Sequence, residues 1–422
     1  MSDDKIKVFT ISDMPFSPSG VGTQTKYVCE ALLETGKFKI VSFGGAIKHQ
    51  KYDPIKTQEY EDDWIVYPVD GYGNQEMVRS LLRQEKPDIL WFMTDPRFWG
   101  WLWEMENEIR PLMPMVYYHV WDNKPYPMYN KMFYESNDRI AAISKVTDDI
   151  VKNVAPTVKS CYLPHAVNTD IFKPLEDEEK KDEFKKSSFG DFYDPNKVIF
   201  FWNNRNARRK QSGSLIFWFK KFLDKVGHDK ATLVMHTEVK DEHGQDLQRI
   251  IDFLGMKDGQ VLFSQKKVPP EDLAKMYQVA DCTVNISDAE GFGLATLESL
   301  ATGTPIIVTM TGGLQEQVTN GEDWFGIGIE PASKAIIGSQ EIPWIQEDRL
   351  NEDDVVDALE KMYNYSKEER EQIGQRGREH VMKNYNFTDF KQKWVDYMLQ
   401  IHEEEGSWEN RKKIQRWTLE EV

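Results

Sequence analysis

The chain has 422 residues, 40% of them hydrophobic and 29% charged. At about 100 to 200 residues per domain that length predicts two or three domains, with two as the working expectation, each long enough to bury its own core. With 53 Lys and Arg against 70 Asp and Glu, the formal charge of -17 argues against nonspecific binding to a polyanion and against a basic membrane-facing surface, while leaving room for a local basic pocket.

No apolar run approaches the roughly 18 residues needed to span a bilayer. The start MSDDKIKVFTIS passes from charges straight into a strand-like run and lacks a secretory pattern, so a cytoplasmic location is expected. Cys29, Cys161 and Cys282 are widely spaced in apolar runs and read as core thiols rather than a disulfide or zinc framework. The 13 Trp and 17 Tyr suit sugar faces where exposed, but core packing accounts for most of them.

In chain order, β-rich runs at 5–12, 38–45, 88–94, 113–120, 139–144 and 160–167 alternate with helical patterns, the signature of a parallel sheet with crossover helices. One βαβ unit is readable directly. Between the first two runs, Val28, Ala31 and Leu32 fall at i, i+3 and i+4, and Gly36 supplies a stop. The charged stretch from Glu176 to Lys197 reads as a solvated helix and linker. Alternation restarts at 197–204 and continues at 231–237, 261–265, 282–287, 305–310 and 325–330, giving a second α/β domain. The end is helical, with Phe390, Trp394, Tyr397 and Met398 at helical spacing and the Asn-Phe-Thr at 386–388 as a start. Ligands of such sheets bind beyond the carboxyl ends of the strands, and two domains can face each other across a cleft.

Four stretches carry candidate chemistry. In SPSGVGTQTKY, Gly20 and Gly22 open a helix after a strand, where backbone N–H groups and the helix dipole suit a phosphate, although such a turn can be only a turn. His119 ends the run 113–120; an imidazole there can donate a hydrogen bond or act as acid or base, or be structural. Arg205 and Lys210, with Arg208 and Arg209 between them, follow the first strand of the second domain. They suit a diphosphate, or form a solvated basic loop. Finally, in SDAEGFGLATLESLATGTPII, Glu290 precedes the turn Gly291-Phe292-Gly293, and a short helix from about Leu294 carries Glu298 and ends at Gly303. The two carboxylates reach different parts of one ligand, and as acceptors they fit sugar hydroxyls. Otherwise Glu290 is a dipole partner and Glu298 a surface residue.

DAEGFGLATLESLATGTPII followed by TGGLQEQV resembles the Glu-x7-Glu signature of retaining glycosyltransferases with the GT-B fold, glycosyltransferase family 4 (group 1) in particular. The Gly20/Gly22 loop, His119, IAAISKVTDDIV, LPHAVNTDIFKP, Arg205 with Lys210, and VPPEDLAKMYQVADCTVNIS follow in that family's order, from about residue 5 to about 400.

The resemblance implies two Rossmann-like parallel-sheet domains facing a cleft: an acceptor-side domain at 1–190, a nucleotide-sugar domain at 191–385, and a helix and tail at 386–422 crossing back to the first. It implies that Glu298 holds ribose hydroxyls, and that Glu290 and the backbone of Gly291, Phe292, Gly293 and Leu294 hold the transferred sugar. Arg205 and Lys210 would clamp the diphosphate with the Gly20/Gly22 loop, and His119 would meet the sugar near the reacting carbon.

The implied activity is retaining transfer of a hexose-like sugar from a nucleotide diphosphate, a UDP-sugar being expected, to an acceptor hydroxyl, with the leaving phosphate taking the proton. The acceptor is open: a saccharide, a lipid-linked acceptor or a small molecule. A hydroxymethylated nucleic acid base is an alternative acceptor, and an inactive GT-B binding module an alternative of another class. No two aspartates are separated by one residue, so the metal-binding Asp-x-Asp of the GT-A type is absent and no essential metal or other cofactor is expected. Two departures stand out: Asn204 where Gly usually precedes the Arg, and His165-Ala166 with Asn168 around the Val-Asp-Thr turn.

Overall fold

The computed structural model describes residues 5–412; the first four residues and residues 413–422 of the expected tail lie outside the described part. The chain divides into two units. The first comprises Met1–His165, Ser339–Pro343 and Thr388–Val422; the second comprises Ala166–Gly338 and Trp344–Phe387. The helix Glu178–Phe189, expected as a linker, therefore belongs to the second unit, whose start precedes the expected 190/191 boundary.

In the first unit, eight strands run β1 (Ile6–Asp13), β2 (Phe38–Gly45), β3 (Ile55–Lys56), β4 (Trp64–Pro68), β5 (Ile89–Thr94), β6 (Met115–His119), β7 (Arg139–Ala142) and β8 (Lys159–Tyr162). They form one sheet in the order β3-β4-β2-β1-β5-β6-β7-β8. Every pairing is parallel except β3 with β4. Strand β5 is buried at all its positions, as a strand covered on both faces must be, and that burial is why its sequence reads as a continuous apolar run.

The helix Phe387–Glu405 belongs to this unit from Thr388 onward. Trp394, fully buried, packs its ring 6.0 Å from Trp91 and 4.7 Å from Tyr118. Arg139 at the start of β7 holds Glu405 at 2.6 Å.

The second unit holds β9 (Val198–Asn203), β10 (Ala231–His236), β11 (Val261–Ser264), β12 (Cys282–Asn285), β13 (Ile306–Thr309) and β14 (Gly326–Ile329). They form a parallel sheet in the order β11-β10-β9-β12-β13-β14. A separate antiparallel hairpin pairs β15 (Ser333–Ile337) with β16 (Ile345–Arg349). From β9 the chain builds outward to β10 and β11 on one side, and from β12 to β13 and β14 on the other. The point where strand order reverses lies between β9 and β12, the place beyond which such sheets bind their ligands.

Every strand-like run expected from the sequence forms a strand, whereas β3, β4 and the β15–β16 hairpin were not anticipated. Run 160–167 stays extended only to Tyr162, two residues before Pro164, which has no N–H for a ladder. The three cysteines are free thiols. Among the described residues no helix is long and apolar enough to cross a membrane.

Trp394→Ala is expected to destabilise the first unit by about 3–5 kcal/mol, the usual loss for a truncated buried aromatic. The exposed Lys393 on the same helix should tolerate alanine within about 0.5 kcal/mol. Urea unfolding of the two variants checks the contrast.

Candidate functional site

The loops that leave β9 and β12 meet. After β9, Arg208–Lys210 form one 3-10 turn. At three residues per turn its successive side chains point about 120° apart, so one of the three can face inward. That one is Lys210, whose side chain is 9% exposed and whose ammonium pairs with the Glu290 carboxylate, itself 12% exposed. Asn285 at the end of β12 adds a 3.4 Å hydrogen bond to the same carboxylate oxygen. Arg209 donates to Ala289 O at 2.5 Å and stands 4.0 Å from Glu290. Asp288 N donates back to Arg209 O at 2.8 Å.

Burial by itself raises the Glu290 carboxyl, but the charges of Lys210 and Arg209, with the hydrogen bonds from Lys210 and Asn285, outweigh it and hold the group below the usual carboxylate range. Glu290 is thus a fixed, ionised acceptor.

The turn that follows is built on glycine where it must be. Gly293 has φ +90, and a Cβ on it would lie 2.5 Å from Leu314. Phe292 is 3% exposed and packs 5.9 Å from the Tyr385 ring; its backbone, not its side chain, faces the site. Gly313 N donates to Glu290 O at 3.0 Å, and Gln317 holds Phe292 O at 2.7 Å.

The helix Leu294–Ala301 then starts with Gly293 as its N-cap, and no side chain caps it. A glycine cap supplies no acceptor for the first-turn N–H groups, which leaves them and the positive end of the helix dipole for an anionic or hydroxylated ligand.

Glu298, in the next turn of that helix, sits in a different setting. Its Oε2 accepts a 2.8 Å hydrogen bond from the Tyr277 hydroxyl, and Tyr277 in turn accepts one of 2.8 Å from Asn203 at the end of β9. Burial pushes the Glu298 carboxyl up to about 7, against the smaller lowering by Tyr277. The two glutamates therefore differ in charge state as well as position: one is pinned ionised, the other titrates near neutrality.

Comparison with known proteins bears on this unit directly. Residues 181–380 match the family described as "Glycosyl transferases group 1". The match covers a little under half of the chain.

A D-inositol 3-phosphate glycosyltransferase of Corynebacterium urealyticum is 49% identical over 57 residues, 14% of this chain and 13% of the relative. A mannosylfructose-phosphate synthase of Agrobacterium fabrum is 26% identical over 225 residues, 52% of this chain and 47% of the relative. The chain thus aligns with less than half the length of either. Over nearly the whole chain the fold is that of GT-B proteins. Sucrose-phosphate synthase from Thermosynechococcus elongatus superposes with a TM-score of 0.74 at 14% identity, covering 94% of this chain and 100% of that one. Anabaena HepE, solved with UDP and glucose, does so at 0.68 and 12%, covering 94% and 99%.

Within the matched stretch, Lys210 meets Glu290, the turn Gly291-Phe292-Gly293 and the helix start at Leu294 follow it, and Glu298 lies further along that helix beside Tyr277. Arg205 does not join them. It extends into solvent, 59% exposed at the side chain, and its guanidinium is engaged by Asp241 at 2.7 and 3.0 Å. The cation beside Lys210 is Arg209 instead. Arg208 turns the other way, to Glu347 of the hairpin, which also binds Arg349. Asn204, on the same loop, has a buried side-chain nitrogen with no hydrogen-bond partner, a donor that a ligand oxygen would satisfy. Sequence reasoning also missed Tyr277, Asn203 and Asn285. Tyr277 lies inside the recognised stretch VPPEDLAKMYQVADCTVNIS, so that stretch held the signal without stating its role.

The first-unit candidates stand differently. His119 is fully buried, with Nδ1 3.1 Å from the Tyr117 hydroxyl and Nε2 2.7 Å from that of Tyr134. Burial lowers its pKa to about 3. The expected acid, base or sugar contact is therefore corrected: this imidazole is neutral, and both its nitrogens are occupied inside the protein.

Gly20 and Gly22 do open a helix, Gly20–Leu33. The Gly22 N–H, however, is taken by the Ser19 hydroxyl at 2.9 Å, and Ser19 in turn donates to the Asp13 carboxylate at 2.7 Å. Gly22 is required by packing, since a Cβ there would sit 2.6 Å from Met14 O. The Gly22 N–H is thus already satisfied within the protein.

Removing one member of a buried ion pair leaves the other uncompensated, at a typical cost of about 3–5 kcal/mol. Lys210→Met is expected to destabilise the second unit by about that amount, and adding Glu290→Gln to restore most of it. Urea unfolding of the wild type, both single variants and the double variant tests this coupling.

Proposed function

We propose that the chain is a retaining glycosyltransferase that moves a hexose from a nucleotide diphosphate sugar, a UDP-sugar first, to an acceptor hydroxyl without an essential metal. The reading is carried by one observation: the Lys210–Glu290 pair, with Arg209 beside it, stands at the glycine-capped start of the helix that bears Glu298. The group 1 match over 181–380 and the UDP-glucose complex of Anabaena HepE support it. The sequence has no Asp-x-Asp, which favours protein cations over a metal.

Cleaving the bond from sugar to diphosphate builds negative charge on the leaving phosphate and positive character on the anomeric carbon. Lys210, fixed in place by Glu290, presents a compact positive charge to a phosphate oxygen. Together with Arg209 and the first-turn N–H groups of Leu294–Ala301, it stabilises the leaving group where charge develops. Glu290, kept ionised, accepts from sugar hydroxyls. Glu298 accepts from the ribose. With the acceptor attacking from the leaving-group side, the departing phosphate takes its proton, and the reaction needs no protein base.

A panel of UDP-, GDP- and ADP-sugars in the presence of EDTA tests the donor. A UDP-sugar is expected to bind and be slowly hydrolysed, and failure of all three to bind with EDTA, or restoration only by added metal, refutes this reading. Because ribose hydroxyls require the ionised Glu298, and burial raises that group to about 7, affinity should rise about tenfold from pH 6 to pH 8 and then level off. UDP-glucose is the probe, since its own phosphates do not titrate in that range. Glu298→Gln should flatten the profile and raise KM far more than it lowers kcat, measured by steady-state kinetics across pH.

A further inference from the structure

Away from the loops after β9 and β12, the second unit contains a polar pocket, of about 180 Å3, far above the roughly 10–15 Å3 that a single water requires. Its wall includes Lys181 and Lys185 from the helix Glu178–Phe189, and Lys367 and Arg370 from the start of the helix Lys367–Asn384. Three carboxylates share the wall, and most of the cations are already engaged by them. Lys367 reaches Glu178 at 2.9 Å and Glu371 at 3.6 Å, Lys181 lies 3.7 Å from Glu178, and Arg370 lies 3.5 Å from Asp281.

Two donor groups remain over. Lys185 makes no hydrogen bond or ion pair among the described residues, although burial pulls its pKa down. Arg370, 9% exposed, keeps its Nε buried without a partner. Lys185 feels the charges of Asp281 and Glu178 but holds neither at contact, so the cavity wall keeps a cation able to take a further partner. Four cations against three carboxylates leave the wall with a positive surplus, so the complementary filler is an anion with several acceptor oxygens.

We propose that this pocket is a binding site for a phosphate group, free or as a small monoester, seated on Lys185 and Arg370. The phosphate accepts from the Lys185 ammonium, and the Arg370 guanidinium and Lys181 on the same wall add their charge. The wall continues into the support of Glu298: Thr304, which lines the pocket, donates through its hydroxyl to Tyr277 O at 2.8 Å.

The assignment does not depend on the proposed donor chemistry and is tested apart from it. Inorganic phosphate and, separately, glycerol phosphate are titrated into the full chain at constant ionic strength, with calorimetry as the readout, using wild type, Lys185→Gln and Lys181→Gln. Saturable binding weakened at least tenfold by Lys185→Gln and several-fold by Lys181→Gln supports the site. Phosphate held at Lys210 would survive both substitutions, so identical isotherms in wild type and Lys185→Gln overturn it, as does an absence of binding by both probes. Tighter glycerol phosphate identifies a monoester ligand, and equal or weaker binding identifies free phosphate. UDP-glucose binding, measured on the same variants, should be retained, which separates failure of this site from failure of the transferase reading.

Discussion

The architecture of the candidate site rests on the burial of Lys210 together with Glu290. Taking either charge out of water alone costs several kcal/mol, and the pair is tolerable only when each finds the other at contact, with further hydrogen bonds filling the remaining positions. That requirement fixes the loop after β9 against the loop after β12. It is reinforced by Asp288 N on Arg209 O, by Arg209 on Ala289 O, and by Gly313 N on Glu290 O. The position of the helix that starts at Leu294 follows from those bonds. A ligand anion arriving there meets charges already desolvated and oriented, and little reorganisation is left for the reaction to perform.

The same sheet geometry separates two glutamates that lie eight residues apart in sequence. Glu290 lies in a loop surrounded by cations and stays ionised. Glu298 lies over a turn into the helix, where its hydrogen-bond partner is the neutral hydroxyl of Tyr277, and burial governs its proton. An acid/base pair needs two groups that exchange a proton with one reacting centre. Here one member is locked and the other is tethered to Tyr277, an arrangement suited to holding two sets of hydroxyls.

Much of the fold was legible because parallel strands buried on both faces must be continuously apolar, as in ILWFMT of β5 and VIFFWN of β9. The missed strands break that rule. β3 is two exposed residues, β4 follows the acidic turn Glu61–Asp63, and the β15–β16 hairpin is only partly buried, with charges along it. The site was legible where backbone shape dictated residue type, as at Gly293. It was not legible where direction mattered. Three consecutive cations at 208–210 look equivalent in sequence, and only the turn decides which one is buried. His119 looked presented at a strand end, but Tyr134, fifteen positions on, covers it.

Charge bookkeeping on that basic loop shows which cations are available to a ligand. Arg205 is matched by Asp241. Arg208 and Arg349 face Glu347 and Asp288, two cations against two carboxylates. Lys210 and Arg209 share the single carboxylate of Glu290. The positive surplus therefore falls at one place on the loop, next to the uncapped helix start. The hairpin is part of the reason: its Glu347 pairs with Arg208. An overall charge of -17 is thus compatible with an anion site, because the loop's acidic partners leave their one uncompensated positive charge on the Lys210 and Arg209 pair.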